Sequence, residues 1–192
     1  MKLLRRIYSR WKSLRYSGKM RYGKDCFFGR HFRITGKPGN IFIKNNCYLD
    51  CSLYAFGSGT IEIGSHTSIR YNTRIGAIQR IIIGNNVIIS NHVTIMDNNN
   101  HPTHPEDRMK MVASGYGTPL WSWNHSRSAE IIINDNVWIG ERSRICKGVV
   151  IGAGAVIAAD AVVTKDVPDN SMVAGNPAIV VREQIHLDKP ML

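Results

Sequence analysis

No stretch of this chain strings together the roughly 18 apolar residues that a membrane-spanning helix needs. Nor does an apolar block or a small-residue cleavage site follow the basic segment 1–9, so no secretory leader is expected and the chain reads as cytoplasmic. Cysteine is scarce: Cys26, Cys47, Cys51 and Cys146 are too few and too scattered for a disulfide framework, and fit reduced thiols. Cys47 and Cys51 lack a second ligand pair at zinc-site spacing, so no metal is expected. Aromatic residues are only 8% of the chain against 43% apolar overall, which is enough for one buried core in 192 residues.

Acid is what the first part of the chain lacks most. Up to Lys37 there are 12 Lys/Arg and one acid, Asp25; beyond it 13 basic residues meet 13 acids. The formal charge of +11 therefore belongs to an N-terminal arm. The neutral body shows no basic face in its composition, which speaks against nucleic acid as a partner. Within residues 1–22, Leu3, Ile7, Trp11 and Leu14 share one helical stripe, with Lys2, Arg5, Arg6, Arg10, Lys12 and Arg15 mostly off it. Two readings of this arm stand together. Residues 1–21 contact the anionic inner face of the cytoplasmic membrane, or the stripe packs on the body or a sister subunit.

A six-residue period dominates the rest. Aliphatic residues recur at Ile63, Ile69 and Ile75, at Ile83, Ile89 and Ile95, and then at Ile133, Ile139, Ile145, Ile151, Ile157 and Val163. Position five of each hexad is small or β-branched, as at Thr67, Thr73, Val87, Val137, Ser143, Ala155 and Ala161. A helix of period 3.6 cannot keep every sixth residue inside, whereas short strands with a corner between them can. Gly, Asn and Asp cluster at positions two to four, where a corner demands unusual backbone angles. Three hexads close a triangular coil, and stacked coils give an all-β solenoid of parallel strands. Hexads from Ile43 and Leu49 are more ragged, and the extra Ile81 and Ile82 mark a widened corner. The organisation expected is an arm (1–22), a β-helical domain (23–183) and a tail (184–192).

The period vanishes over residues 97–130, an extruded loop holding His101, His104, His125, Trp121 and Trp123. Long insertions in a regular scaffold are usually functional. Imidazole titrates near neutrality and can accept a hydroxyl proton, but a lone loop histidine is by default structural; what singles out His101, with His104 as its rival, is the resemblance named below. Asp97 and Glu106 are both near enough in sequence to hold its tautomer. His66 and His92 sit at hexad corners and read as surface residues. Trp121 and Trp123 have two readings: a flat apolar platform for a sugar ring, or packing of the loop against the body.

These features resemble the hexapeptide-repeat acyltransferases, and within them the sugar O-acetyltransferases that act on galactosides and maltose. The likeness spans about residues 43–183 and rests on the HPTH loop at His101, the VWIG hexad after it, and the terminal TKDVP, AGNP and Arg182. It implies a left-handed β-helix, although free-standing parallel crossovers prefer the other hand. It also implies a homotrimer with acetyl-CoA as acyl donor and direct attack by a hydroxyl that His101 deprotonates. Carried over residue by residue, Trp138, Glu141, Ala159, Thr164, Lys165 and Arg182 would hold coenzyme A. On the acceptor side the likeness places Arg70 where relatives carry a sugar-binding Asn, with Asn72 beside it. Asp97, Trp121 and Trp123 are grouped with them. An arginine there suits an acceptor bearing carboxylate or phosphate. The expected activity is O-acetylation of a sugar in capsule, exopolysaccharide or lipopolysaccharide synthesis. N-acetylation of an aminosugar and a non-catalytic docking scaffold are the alternatives.

Overall fold

The computed structural model describes residues 9, 15–16 and 18–191. The chain winds as a left-handed parallel β-helix whose three faces are three sheets. Face A is β1 (Arg21–Tyr22), β4 (Ile41–Ile43), β7 (Thr60–Ile63), β10 (Arg80–Ile83), β13 (Ile131–Ile133) and β16 (Val150–Ile151). Face B runs through β2 (Phe27–Phe28), β5 (Tyr48–Leu49), β8 (Ser68–Ile69), β11 (Ile88–Ile89), β14 (Trp138–Ile139) and β17 (Val156–Ile157), and ends in the hairpin of β19 (Met172–Gly175) and β20 (Ala178–Arg182). Face C stacks β3 (Arg33–Gly36), β6 (Ser52–Ala55), β9 (Arg74–Ala77), β12 (Thr94–Met96), β15 (Arg144–Ile145) and β18 (Val162–Val163).

The hexad explains this shape residue by residue. Position-one aliphatics form interior columns, such as Leu49, Ile69, Ile89, Ile139 and Ile157 behind face B, all without solvent exposure. Each such side chain stabilises by about 1.5–3 kcal/mol relative to water. Position-five side chains are buried at the corners, where Thr67 and Thr73 donate to the carbonyls of Gly84 and Ser90 in the next coil at 2.9 and 2.7 Å. Position four adopts the left-handed conformation at Asn46, His66, Asn72, Asn86, His92, Asn136, Arg142, Gly148, Gly154 and Asp160, with φ of 57–74°. Asn, Asp, His and Gly tolerate that region best. Arg142 is the exception, and its guanidinium is braced by two bonds of 2.8 and 2.7 Å to Asp160.

The first coil corrects the expected boundary. Regular pairing begins at Arg21, opposite Phe42, so β1 lies inside the segment assigned to the arm and the helix starts well before residue 43. Aliphatic spacing missed it because this coil fills its interior with Phe28 and Phe32, both fully buried with ring centroids 4.7 Å apart. These rings close the end of the prism. Of the arm, Tyr16 stands edge-on to Phe32 at 5.5 Å, Met20 is buried, and Ser9 Oγ accepts the Phe28 amide at 3.0 Å. Ser9, Tyr16 and Met20 thus pack on the body; Leu3, Ile7, Trp11 and Leu14 lie outside the described residues. No described helix is long and apolar enough to cross a membrane. The tail also folds back, the Ile185 amide donating to the Asn170 carbonyl at 2.9 Å.

Candidate functional site

The excursion leaves the prism at the edge between faces C and A, and its two ends zip together. The Ala129 amide donates to the Asp97 carbonyl at 2.9 Å, Asn98 bridges Ser128, and the Asn99 amide donates to the Arg127 carbonyl at 3.1 Å. Asp97 anchors this neck to the preceding coil. Its buried carboxylate accepts the amides of Ile78 at 2.9 and 3.0 Å and of Gln79 at 2.8 Å, and the Asn98 side chain at 3.0 Å. Burial pushes its pKa up, against those donors, which favour the charged form. Asp97 is therefore a fastening for the loop. Its oxygens are spent on buried amides, so in this chain it reaches no acceptor from the surface, and of the two carboxylates left open as partners of His101 it is not one that bonds the imidazole.

Beyond the neck, His101 stands exposed, its ring edge-on to Trp121 with centroids 5.7 Å apart. Among the described residues no carboxylate bonds this imidazole. Glu106 lies instead in the first turn of a helix, α1 (Pro105–Ala113). That helix went unread in the sequence, yet its signals are ordinary: Pro105 at its first position, Glu106 and Asp107 in the first turn, Lys110 in the last. Flanking His101, the Asn100 side-chain oxygen and the Trp121 indole nitrogen are buried and unpartnered among the described residues. The loop thus keeps one acceptor and one donor free beside His101.

Trp123 seats the loop on face C. Its ring meets Phe56 edge-on at 4.9 Å and Tyr54 at 6.3 Å, above Gly76. A Cβ at Gly76 would stand 2.9 Å from the indole and 2.5 Å from Met96 Sδ, so glycine alone leaves room for the ring. Gly76→Ala should cost about 1–3 kcal/mol by overpacking, read as a lower thermal midpoint and a red shift in tryptophan emission. An unchanged midpoint and emission would contradict this seat. Phe56, Gly57, Gly117, Thr118, Pro119, Trp121, Ser122 and Trp123 enclose a cleft of about 530 Å³. That is room for a small organic ligand. Tyr54, Phe56 and Gly76 were not read as site residues, because their role depends on a loop that follows them by dozens of positions.

The other candidates divide between edges of the prism. Thr164 and Lys165 are exposed on the C–A edge, the one from which the loop emerges. Arg70 and Asn72 lie on the B–C edge, where the Arg70 guanidinium covers the Tyr48 ring at 5.3 Å. Glu141 and Ala159 are on that same edge in later coils, the Glu141 carbonyl accepting the Asp160 amide at 2.9 Å. Trp138 is half exposed on face B, and Arg182, also on B, is ion-paired with Asp188. One chain therefore does not gather Arg70, Asn72, Glu141 and Ala159 around His101. Among the described residues, no three His, Cys, Asp or Glu side chains cluster as a metal site.

Comparison with known proteins bears on this arrangement. The bacterial transferase hexapeptide family (six repeats) matches residues 130–165. Galactoside O-acetyltransferase of Escherichia coli K12 is 34% identical over 147 residues, covering 77% of this chain and 66% of that protein. The chain thus spans slightly under two thirds of that enzyme's length. Escherichia coli K12 WbbJ, provisionally named a lipopolysaccharide biosynthesis O-acetyltransferase, is 30% identical over 137 residues, covering 71% of this chain and 67% of that protein. Among solved structures, the polySia-specific acetyltransferase NeuO matches with a TM-score of 0.71 at 25% identity, over 90% of this chain and 71% of that one. The Vibrio cholerae hexapeptide-repeat acetyltransferase VCA0836, solved with acetyl coenzyme A, matches with a TM-score of 0.62 at 25% identity, over 90% and 77%.

Proposed function

Because the chain belongs to the hexapeptide-repeat transferase family, we propose that it transfers an acetyl group from acetyl-CoA to a sugar hydroxyl in the assembly of a capsule, exopolysaccharide or lipopolysaccharide. The observation that carries this reading is an exposed imidazole at an aromatic cleft, with an unused donor and acceptor beside it. The sugar ring lies against Trp121 and Trp123. His101 takes the hydroxyl proton as the oxygen attacks the thioester carbonyl, and the tetrahedral oxyanion is met by a backbone amide at Glu141. Collapse breaks the carbon–sulfur bond, and the imidazolium returns its proton to the departing thiolate. Trp138 flanks the acetyl group and Ala159 the pantetheine arm. Thr164, Lys165 and Arg182 serve the nucleotide end, where Arg182 exchanges the Asp188 carboxylate for phosphate.

The active unit is proposed to be a homotrimer. His101 and Lys165 stand on one edge while Glu141 and Ala159 stand on another, and face B between copies offers exposed Ile88 and Trp138, each about half accessible. A fully active monomer in solution would overturn this composite site. The transfer itself is tested by thiol release from acetyl-CoA against a panel of hydroxyl sugars, aminosugars and sugar nucleotides. Release with amine-free sugars is expected. Release confined to aminosugars would make the chain an N-acetyltransferase, and failure to bind coenzyme A at all would leave only a scaffold.

A further inference from the structure

Folding gathers arginines from the basic N-terminal segment and from the charge-balanced body onto one face. Along the outward column of face C nearest the B–C edge, the register runs Arg33, Ser52, Arg74, Thr94, Arg144, Val162. Arginines occupy alternate rungs, about 9.5 Å apart at ordinary strand spacing, with short hydroxyl side chains between the first three. All three arginines are exposed, and none of the six strands of face C contains an acid. Stacking like charges without a counter-charge is unfavourable. Elsewhere the fold answers an arginine with an acid, as Glu62 does for Arg80 at 2.9 Å and Asp160 for Arg142 at 2.7 Å. Arg33 donates only to the carbonyls of Arg30 and Phe32, and Arg74 and Arg144 meet no carboxylate among the described residues. Acids on the adjoining B–C edge are engaged, Asp50 by His31 and Asp160 and Glu141 by Arg142.

This column borders the candidate site. Arg74 is two residues from Gly76 on β9, about 7 Å along the strand, and Gly76 is where Trp123 sits. The parallel column, Thr35, Tyr54, Gly76 and Met96, supplies the aromatic floor. We propose that face C is an extended acceptor subsite for an anionic glycan, its acid groups gripped by Arg33, Arg74 and Arg144 and its rings lying toward Tyr54 and Trp123. Planar guanidinium forks match carboxylate or phosphate oxygens in pairs, while Ser52 and Thr94 are left for sugar hydroxyls. The proposal rests on the sugar acetyltransferase reading, but binding tests it separately from turnover.

The full-length chain is titrated with an oligogalacturonide, a phosphorylated oligomannoside, a neutral maltooligosaccharide of equal length and a single-stranded DNA oligomer. An anionic glycan should bind, more weakly as salt rises, and the neutral glycan should not. Preference between carboxylate and phosphate identifies the acid group. Arg74→Gln should weaken glycan binding about tenfold, the scale of a lost charge-assisted pair. Arg74→Lys should recover part of it, and Arg21→Gln on face A should change nothing. Equal binding of neutral and anionic glycans, DNA binding as tight as glycan, or an Arg74→Gln variant indistinguishable from the parent would each overturn the subsite. Glycan binding without acetyl transfer to any sugar would sink the enzymatic reading and leave the subsite standing.

Discussion

Substituting His101 by alanine is expected to lower acetyl transfer by about 10²–10⁴-fold, the range for removing a general base, with acetyl-CoA binding retained. The prediction is specific because the geometry leaves the imidazole few other duties. No carboxylate among the described residues holds it, its ring only borders Trp121, and the local backbone is fixed by the His101 amide donating to the Asn99 carbonyl at 2.8 Å. Loss of the side chain should therefore spare the fold. Hydroxyl acceptors of lower pKa should be hurt less, because they ionise with less help. His104→Ala should retain most activity, since His104 precedes α1 at its N-cap and its carbonyl accepts the Arg108 amide. Full turnover in the His101 variant, or loss in the His104 variant alone, would move the base elsewhere.

How far the sequence reveals this molecule depends on how local each cause is. The coils from Ile61 onward are legible because one aliphatic and one small residue per hexad suffice to make a strand and a corner, and neither needs knowledge of the rest of the fold. The first coil is not, because it sits at the end of the stack and caps it with Phe28 and Phe32. Asn72 and His92 at position four are readable as corner residues, whereas Arg142 takes the same backbone only with Asp160 from the next coil beside it. The seat of Trp123 on Gly76 was hidden, being a contact between an excursion and a sheet 47 positions earlier. So was the arginine column: Arg33, Arg74 and Arg144 are far apart in sequence, the last two within a body whose charges cancel in a count, yet stacking brings them to one face. Arg70 and His101 both resemble site residues in sequence, and the prism of one chain puts them on different edges, which only the fold reveals.

Asp97→Ala is the second large effect expected, and it joins stability to catalysis. The substitution strands the buried amides of Ile78 and Gln79, each costing about 1–3 kcal/mol when unpaired. At about 2–4 °C per kcal/mol for a domain of this size, the thermal midpoint should fall by roughly 4–24 °C. The neck between Asn98 and Ser128 should loosen with it, and His101 lies four residues beyond Asp97. Asp97 acts as a positioning residue, so kcat should drop while binding of acetyl-CoA persists. Its titration sets the pH dependence. The folded-state pKa is raised above the ordinary 3.8 by burial, so between the two values the native state holds more protons than the unfolded chain. The stabilisation from this carboxyl is fullest below its unfolded pKa and declines as pH climbs through the folded value. The gap in midpoint between parent and Asp97→Ala should accordingly be widest in acid and narrow toward neutrality. Asp97→Asn keeps one accepting oxygen but turns an NH2 toward donors that require an acceptor. It should fall between parent and alanine variant and differ from the alanine variant by an amount independent of pH. If Asp97→Ala melts with the parent at every pH, the carboxylate does not fasten the loop, and the geometry that presents His101 must be held by the Trp123 seat alone.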